Sequence, residues 1–256
     1  MTISEQQSDE QQPQPQYFKP PPPIYTYTIL ASIAAVFVTQ VIAGQGLSAL
    51  LVGDEYSAFV AGFYKPYFVK HHEYWRILTG AAVHGGLLHY AMNSYALLIF
   101  GRLMEVLTNR AHLTIVFLLA CIGGGLMSLY FLPDSVSVGA SGGIVGLLGY
   151  LTVYAFRRRR FISPEFRKGM LINIGFLAFF GLVLMNIVDN YGHLGGLLTG
   201  AIYGLIQIPS DEYIDPRAAG PATKVIGIIA LGIFVAAGIL AVVLLISNRG
   251  IVIPQS

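Results

Sequence analysis

The stretch "DNYGHLGGLLTGAIYG", Asp189 to Gly204, sets a glycine at positions 192, 196, 200 and 204. Residues four apart share one face of a helix. This run therefore reads as a helix with one bare face, shaped to let a neighbouring backbone come close. His193 sits at the rim of that face. A second stretch, "SVSVGASGGIVGLLGY" from Ser135 to Tyr150, answers it with Gly139 and Gly143, and with Gly142 and Gly146. Between glycines at the mouth of its apolar run it carries a serine, Ser141. Two helices of this kind pack with little between them, close enough for a hydroxyl and an imidazole to share a proton.

Composition identifies the medium. The chain is 55% hydrophobic and 11% charged, with a mean hydropathy of +0.65; an ordinary soluble domain has roughly 25% charged residues. The fold class is an all-α polytopic membrane protein. A net charge of +2 gives no argument for a nucleic-acid partner. Apolar segments at 26–48, 87–107, 111–132, 139–156, 168–188, 192–208 and 224–247 give seven candidate spans, each near the roughly 20 residues that a bilayer needs. Residues 1–23, rich in Gln and Pro, cannot bury enough surface to order and read as a disordered tail. No basic start leads into a short apolar run, so no cleaved signal peptide is expected. Residues 52–84 are too apolar for a free loop and too polar for a span. With Trp75 and many tyrosines and phenylalanines, they read as a loop partly inserted at the interface.

Orientation follows from the basic residues. Arg157 to Arg160, with Arg167 and Lys168, lie between the fourth and fifth segments, and Lys and Arg are retained on the cytoplasmic side. Seven spans then put the amino terminus in the cytoplasm, with eleven basic residues inside. Lys65, Lys70, Arg76 and Arg249 are the four outside.

Charged groups at the centre of a span cost about 2.5–3.5 kcal/mol each on insertion scales, so polar residues there are functional candidates. Three places qualify: "HGGLLHYAMN" with His84, His89 and Asn93, the fourth segment with Ser141, and the sixth with His193. All lie near the outer ends of their spans and can converge on one shallow polar pocket. Nucleophile, base and polar amide on three helices are the parts of a hydrolase. Cys121, the only cysteine, has no partner for a disulfide, and no metal-ligand spacing is present.

At these residues a family resemblance appears. "GASG" with Ser141, "GHLGG" with His193, the spacing of His84, His89 and Asn93, and "YWR" at Tyr74 to Arg76 together resemble the rhomboid intramembrane serine proteases, over roughly residues 55 to 205. The resemblance implies a six-helix core over 24–208, a cytoplasmic loop at 209–223 and one added span at 224–247. It implies Ser141 as nucleophile and His193 as general base, then acid, with no acidic third member. It further implies Asn93 and His89 in an oxyanion hole, His84 supporting that hole, Glu105 in a structural role, and Gly139, Gly142 and Gly196 as supporting glycines. Implied substrates are membrane proteins whose spanning segments unwind near the outer face, reached past Phe176, Phe179 and Phe180 of the fifth span. No cofactor or metal is implied, and the location expected by analogy and size is a bacterial plasma membrane, with an organelle membrane as the alternative. Val145 stands where the family often carries an aromatic against the histidine, and Gly192 where alanine is frequent. Asp189 reads as a helix cap and not as a third catalytic member. The alternatives are a catalytically inactive rhomboid-like protein that binds membrane clients, and a proton-coupled transporter.

Overall fold

The computed structural model describes residues 20–44 and 47–249. Residues 1–19 of the expected tail lie outside them. Helix α1 (Ile24–Ala43) leads into four short helices, α2 (Leu47–Val52), α3 (Glu55–Ala61), α4 (Lys65–Lys70) and α5 (Arg76–Ala82), with strand β1 (Phe63–Tyr64) between α3 and α4. Helices α6 (Leu87–Leu107) and α7 (Arg110–Phe131) follow, then strand β2 (Val136–Ser137). The chain closes with α8 (Ser141–Arg157), α9 (Pro164–Val183), α10 (Asn190–Gln207) and α11 (Pro221–Ser247). The two strands pair antiparallel, Phe63 opposite Ser137 and Tyr64 opposite Val136.

The segment 52–84 is therefore not a loop. Local signals explain its turns of helix: Asp54 caps α3 by accepting from the Ser57 amide, and Pro66 opens α4 with its φ already set. Arg76 then pins the segment. Its guanidinium donates to the carbonyls of Phe59 (2.8 Å) and Gly62 (3.1 Å), pairs with Glu73, and stacks over Trp75. The fifth long helix begins earlier than its apolar run, because Ser163 caps it through the Phe166 amide and Pro164 occupies its first turn. Lys168 thus lies within α9 and not before it.

Four helices, α1, α7, α9 and α11, are each long and apolar enough to cross a membrane. Apolarity alone accounts for those four of the seven expected spans. The other three carry the polar groups, such as Arg102 and Glu105 on α6, or fall short in length, as the 17-residue α8 does.

Helix α10 is wedged between α7 and α8. A Cβ on Gly196 would stand 2.1 Å from the Gly142 carbonyl oxygen, and one on Gly200 would stand 1.8 Å from that of Gly146. The opposite side is as tight: a Cβ on Gly195 would meet the Gly123 oxygen at 2.7 Å, and one on Gly124 the Gly192 oxygen at 2.5 Å. Such spacing brings backbone carbonyls onto Cα–H groups, a contact worth about 0.5–1 kcal/mol each. Two expectations are corrected. Gly143 faces Phe117 and Cys121 of α7, and Gly139 lies ahead of the helix, so neither joins the α8–α10 seam. At Gly204 the neighbours are the side chains of Tyr150 and Val153, where the close backbone approach ends.

Two further ties hold the frame. Buried Glu105 accepts from the Thr26 amide and hydroxyl, both at 2.8 Å, and from Arg110 at 3.1 Å, joining α1, α6 and α7. Helix α11 lies against α1 and α7: Thr114 donates to the Gly227 carbonyl at 2.6 Å, and Phe234 meets Phe117 edge to face. Helix α9 is the exception. It rests on α8 and buries only Met170 and Gly181.

The seam gives the first prediction. Gly196→Ala should lower thermal stability in detergent by the equivalent of about 1–3 kcal/mol, the cost of overpacking, and Gly196→Val should lower it further. Val243→Leu, on the half-exposed side of α11, should leave the melting curve unchanged. A wild-type curve for Gly196→Val would refute the seam.

Candidate functional site

Ser141 is the first residue of α8, and the N-cap before it is Ala140, which offers no capping side chain. Its amide is one of the first-turn donors that an α-helix leaves without an internal partner. The hydroxyl does not cap. It lies 2.8 Å from Nε2 of His193 on α10. The approach to this helix needs glycine at 139: φ there is +114°, and a Cβ would strike the His89 ring at 2.6 Å. The Gly139 amide donates to the Gly80 carbonyl of α5 at 2.9 Å, which ties the approach to the preceding segment.

His193 stands in the first turn of α10, and Asp189 anchors that turn. Its Oδ1 accepts from the Gly192 amide at 2.8 Å, while Oδ2 accepts from Ser137 at 2.6 Å and from Ser128. Behind Ser137 stands Lys65, with 0% of its surface exposed, donating to Ser137 at 2.9 Å and Ser135 at 2.6 Å. Burial pushes the Lys65 ammonium below its ordinary pKa, and the Asp189 charge opposes that shift. Asp189 does not touch the imidazole, whose Nδ1 has no side-chain or backbone partner among the described residues. No aromatic ring among them stacks on His193, and Val145 is packed into the core.

Two of the three remaining polar residues, His89 and Asn93, lie across Gly139. His89 Nδ1 accepts from the Gly85 amide at 3.2 Å. An amide N–H only donates, so the His89 proton belongs on Nε2, the nitrogen nearest Gly139. Asn93 spends one amide proton on the His89 carbonyl at 3.0 Å and keeps the second. His84 is buried, its backbone held by Gln40 in two hydrogen bonds of 2.9 and 3.0 Å. Gly142 and Gly196 meet in the seam beneath. The expected polar residues do not share one pocket: they are split between two cavities, and His89 and Asn93 line neither. A cavity of about 50 Å³ is lined by Ser137, Gly139, Ser141, Asp189 and His193, and His84 lines another.

A hydroxyl in contact with an imidazole, at a helix N-terminus and sunk among apolar helices, defines the class: a multi-pass membrane protein built around a serine–histidine pair. Comparison with known proteins supplies the family. Residues 71–210 match the model described as the Rhomboid domain, and the chain belongs to the rhomboid family. It is 34% identical over 148 residues to RHOMBOID-like protein 6, mitochondrial, of Arabidopsis thaliana, covering 55% of this chain and 46% of that protein. It is 31% identical over 195 residues to Rhomboid protease GluP of Bacillus subtilis (strain 168), covering 76% of this chain and 37% of that protein. The putative rhomboid protease YdcA of the same bacterium is 28% identical over 145 residues, 56% of this chain and 72% of that one. The chain thus spans less than half the length of the first two. Helices α1 and α11 lie outside the family match.

Sequence reasoning missed the cluster of buried Lys65 and Ser128 with half-buried Ser137 and Asp189. Its available signal was a lysine and serines in otherwise apolar surroundings. Gln40, inside the first span, carried the same signal.

This cluster is testable without any assay of activity. Asp189→Ala removes the α10 cap, worth about 1 kcal/mol, and takes from the buried Ser128 hydroxyl and the half-buried Ser137 hydroxyl their carboxylate acceptor, so it should lower the melting temperature in detergent clearly. Asp189→Asn keeps an acceptor for the Gly192 amide and should lower it less. Equal melting temperatures for the two variants would refute the anchoring role.

Proposed function

We propose that this chain is an intramembrane serine endopeptidase that cleaves spanning segments of other membrane proteins near the outer membrane face. The observation that carries the reading is the 2.8 Å contact between Ser141 Oγ and His193 Nε2, within the range a nucleophile and its base require. Family membership and the likeness to a named rhomboid protease support it. In this reading all seven long helices cross the bilayer, six form the core, and α11 is an addition. Helices α6, α8 and α10 bury their polar groups among the others. The amino terminus is cytoplasmic, and the membrane is a bacterial plasma membrane.

Amide hydrolysis needs an activated nucleophile, donors for the developing oxyanion, and water. His193 takes the proton as Ser141 Oγ attacks the substrate carbonyl. The resulting oxyanion is met by the Ser141 amide, the free amide proton of Asn93 and the Nε2 proton of His89. His193 then protonates the leaving amine and, as a base again, activates the water that opens the acyl-enzyme. His84 holds the turn ahead of α6. The mechanism calls on no metal or cofactor. A stable helix hides its carbonyls in internal bonds, so the substrate is a segment that unwinds near its outer end. It arrives laterally beside α9, whose Phe176, Phe179 and Phe180 are exposed.

Ser141→Ala and His193→Ala should each abolish cleavage of a helix-unstable test segment while insertion and melting temperature stay near wild type. Purified Ser141→Ala that still cleaves would end the reading, and a chelator should leave the wild-type rate unchanged. Asn93→Ala should reduce kcat by about 10²–10³, the value of one oxyanion donor, with little change in binding of uncleaved substrate. Loss of folded protein in that variant would make Asn93 structural instead.

A further inference from the structure

Helix α9 leaves most of its surface uncovered. It rests on α8 through buried Met170 and Gly181, with Ile174 and Leu177 half-buried beside them. On the flank next to that contact, Gly169, Asn173, Phe176, Phe180 and Val183 stand four, three, four and three residues apart. Phe176, Phe180 and Val183 are exposed, and a Cβ on Gly169 would meet nothing within 4 Å. Asn173 is exposed as well, although it lies five residues past Lys168, about 7.5 Å into an apolar run at about 1.5 Å per residue. Its side chain is too short to reach back to the membrane surface. The Nδ2 group donates to the Gly169 carbonyl at 2.8 Å, and the amide makes no other hydrogen bond among the described residues. One N–H and the amide oxygen are left to face hydrocarbon, a costly arrangement for any polar group.

A primary amide is its own complement, because it offers one donor and one acceptor and so does a second copy of it. Copies of this chain inserted in one membrane share an orientation. A two-fold axis along the membrane normal therefore runs their α9 helices parallel and sets each residue of the stripe against itself. The alternating spacing is that of a left-handed helix pair, and in such seams a single Asn fixes the register. A foreign span would need a polar group of its own at the same depth, where such groups are rare. We propose that α9 is the seam of a homodimer, joined by a hydrogen-bonded pair of Asn173 side chains with Phe176 and Phe180 packed on its outer side. The pairing does not depend on the protease reading. Under that reading, Phe176 and Phe180 are covered in the dimer, so pairing and substrate entry compete for one face.

The test uses the full chain in lipid vesicles, with subunits counted by single-molecule photobleaching as the protein-to-lipid ratio is raised. Wild type should pass from one copy to two. Asn173→Leu should weaken pairing by about threefold to thirtyfold, the range that interhelical hydrogen bonds span in membranes, and Asn173→Gln, which keeps the amide, should weaken it less. Melting temperatures should stay near wild type, since the side chain is exposed. Under mild oxidation Gly169→Cys should give a disulfide-linked dimer, whereas Gly175→Cys, equally open but off the stripe, should not. Cys121 is buried and stays silent. A wild type that remains single at every ratio, a dimer that Asn173→Leu leaves unchanged, or linkage at 175 in place of 169 overturns the proposal. Slower cleavage of a test segment by Asn173→Leu when wild type is monomeric also overturns it, and makes Asn173 a substrate contact instead.

Discussion

The structure depends on the absence of side chains between α8 and α10. Where Gly142 and Gly146 present their carbonyls to Gly196 and Gly200, there is no room for one more carbon atom. The separation of the two helices is therefore set by backbone and not by adjustable side chains. Ser141 sits one residue above this seam and His193 three residues above its partner, so the contact between them inherits the rigidity of main chain. A hydroxyl placed by packed side chains would move whenever those side chains changed rotamer.

The seam fixes how far apart the helices stand, but not how they are turned or where they end. That is the work of the polar cluster above it. Asp189 gathers the Gly192 amide and two serine hydroxyls, and Lys65 stands behind one of those serines. Four separate parts of the chain meet there: α4, α7, β2 and the start of α10. At the opposite end of the bundle Glu105 does the same for α1, α6 and α7. A buried charge unpaired would be costly, and each of these is surrounded by donors or acceptors.

What was legible in the sequence was what is periodic or local. Glycine every fourth residue announced the seam, and Ser141 and His193 beside it announced the pair that the structure brings to 2.8 Å. The caps of α3 and α9 were also legible, as Asp54 and as Ser163 before Pro164, but hydropathy drew attention to the apolar runs and obscured both boundaries. The Lys65 cluster was not legible, because residues 65, 128, 137 and 189 become neighbours only when three helices and a strand pair have packed. The division of the pocket into two was hidden for the same reason: it depends on where His84 turns relative to Val138. The likeness of Gly139 and Gly143 to the true seam glycines misled, since spacing alone does not say which face of α8 meets which neighbour.

Helix α11 follows the rest of the bundle in the chain, yet it is not peripheral. It lies against α1, α3, α5 and α7, and the Tyr56 hydroxyl donates to its Leu245 carbonyl at 2.7 Å. Helix α5 in turn holds Gly139 through the Gly80 carbonyl. During synthesis, then, the residues that contain Ser141 and His193 leave the ribosome well before the wall that steadies their approach exists. The pair is thus complete in the chain before it is complete in the structure, and it acquires its full support only once α11 has been made and has packed.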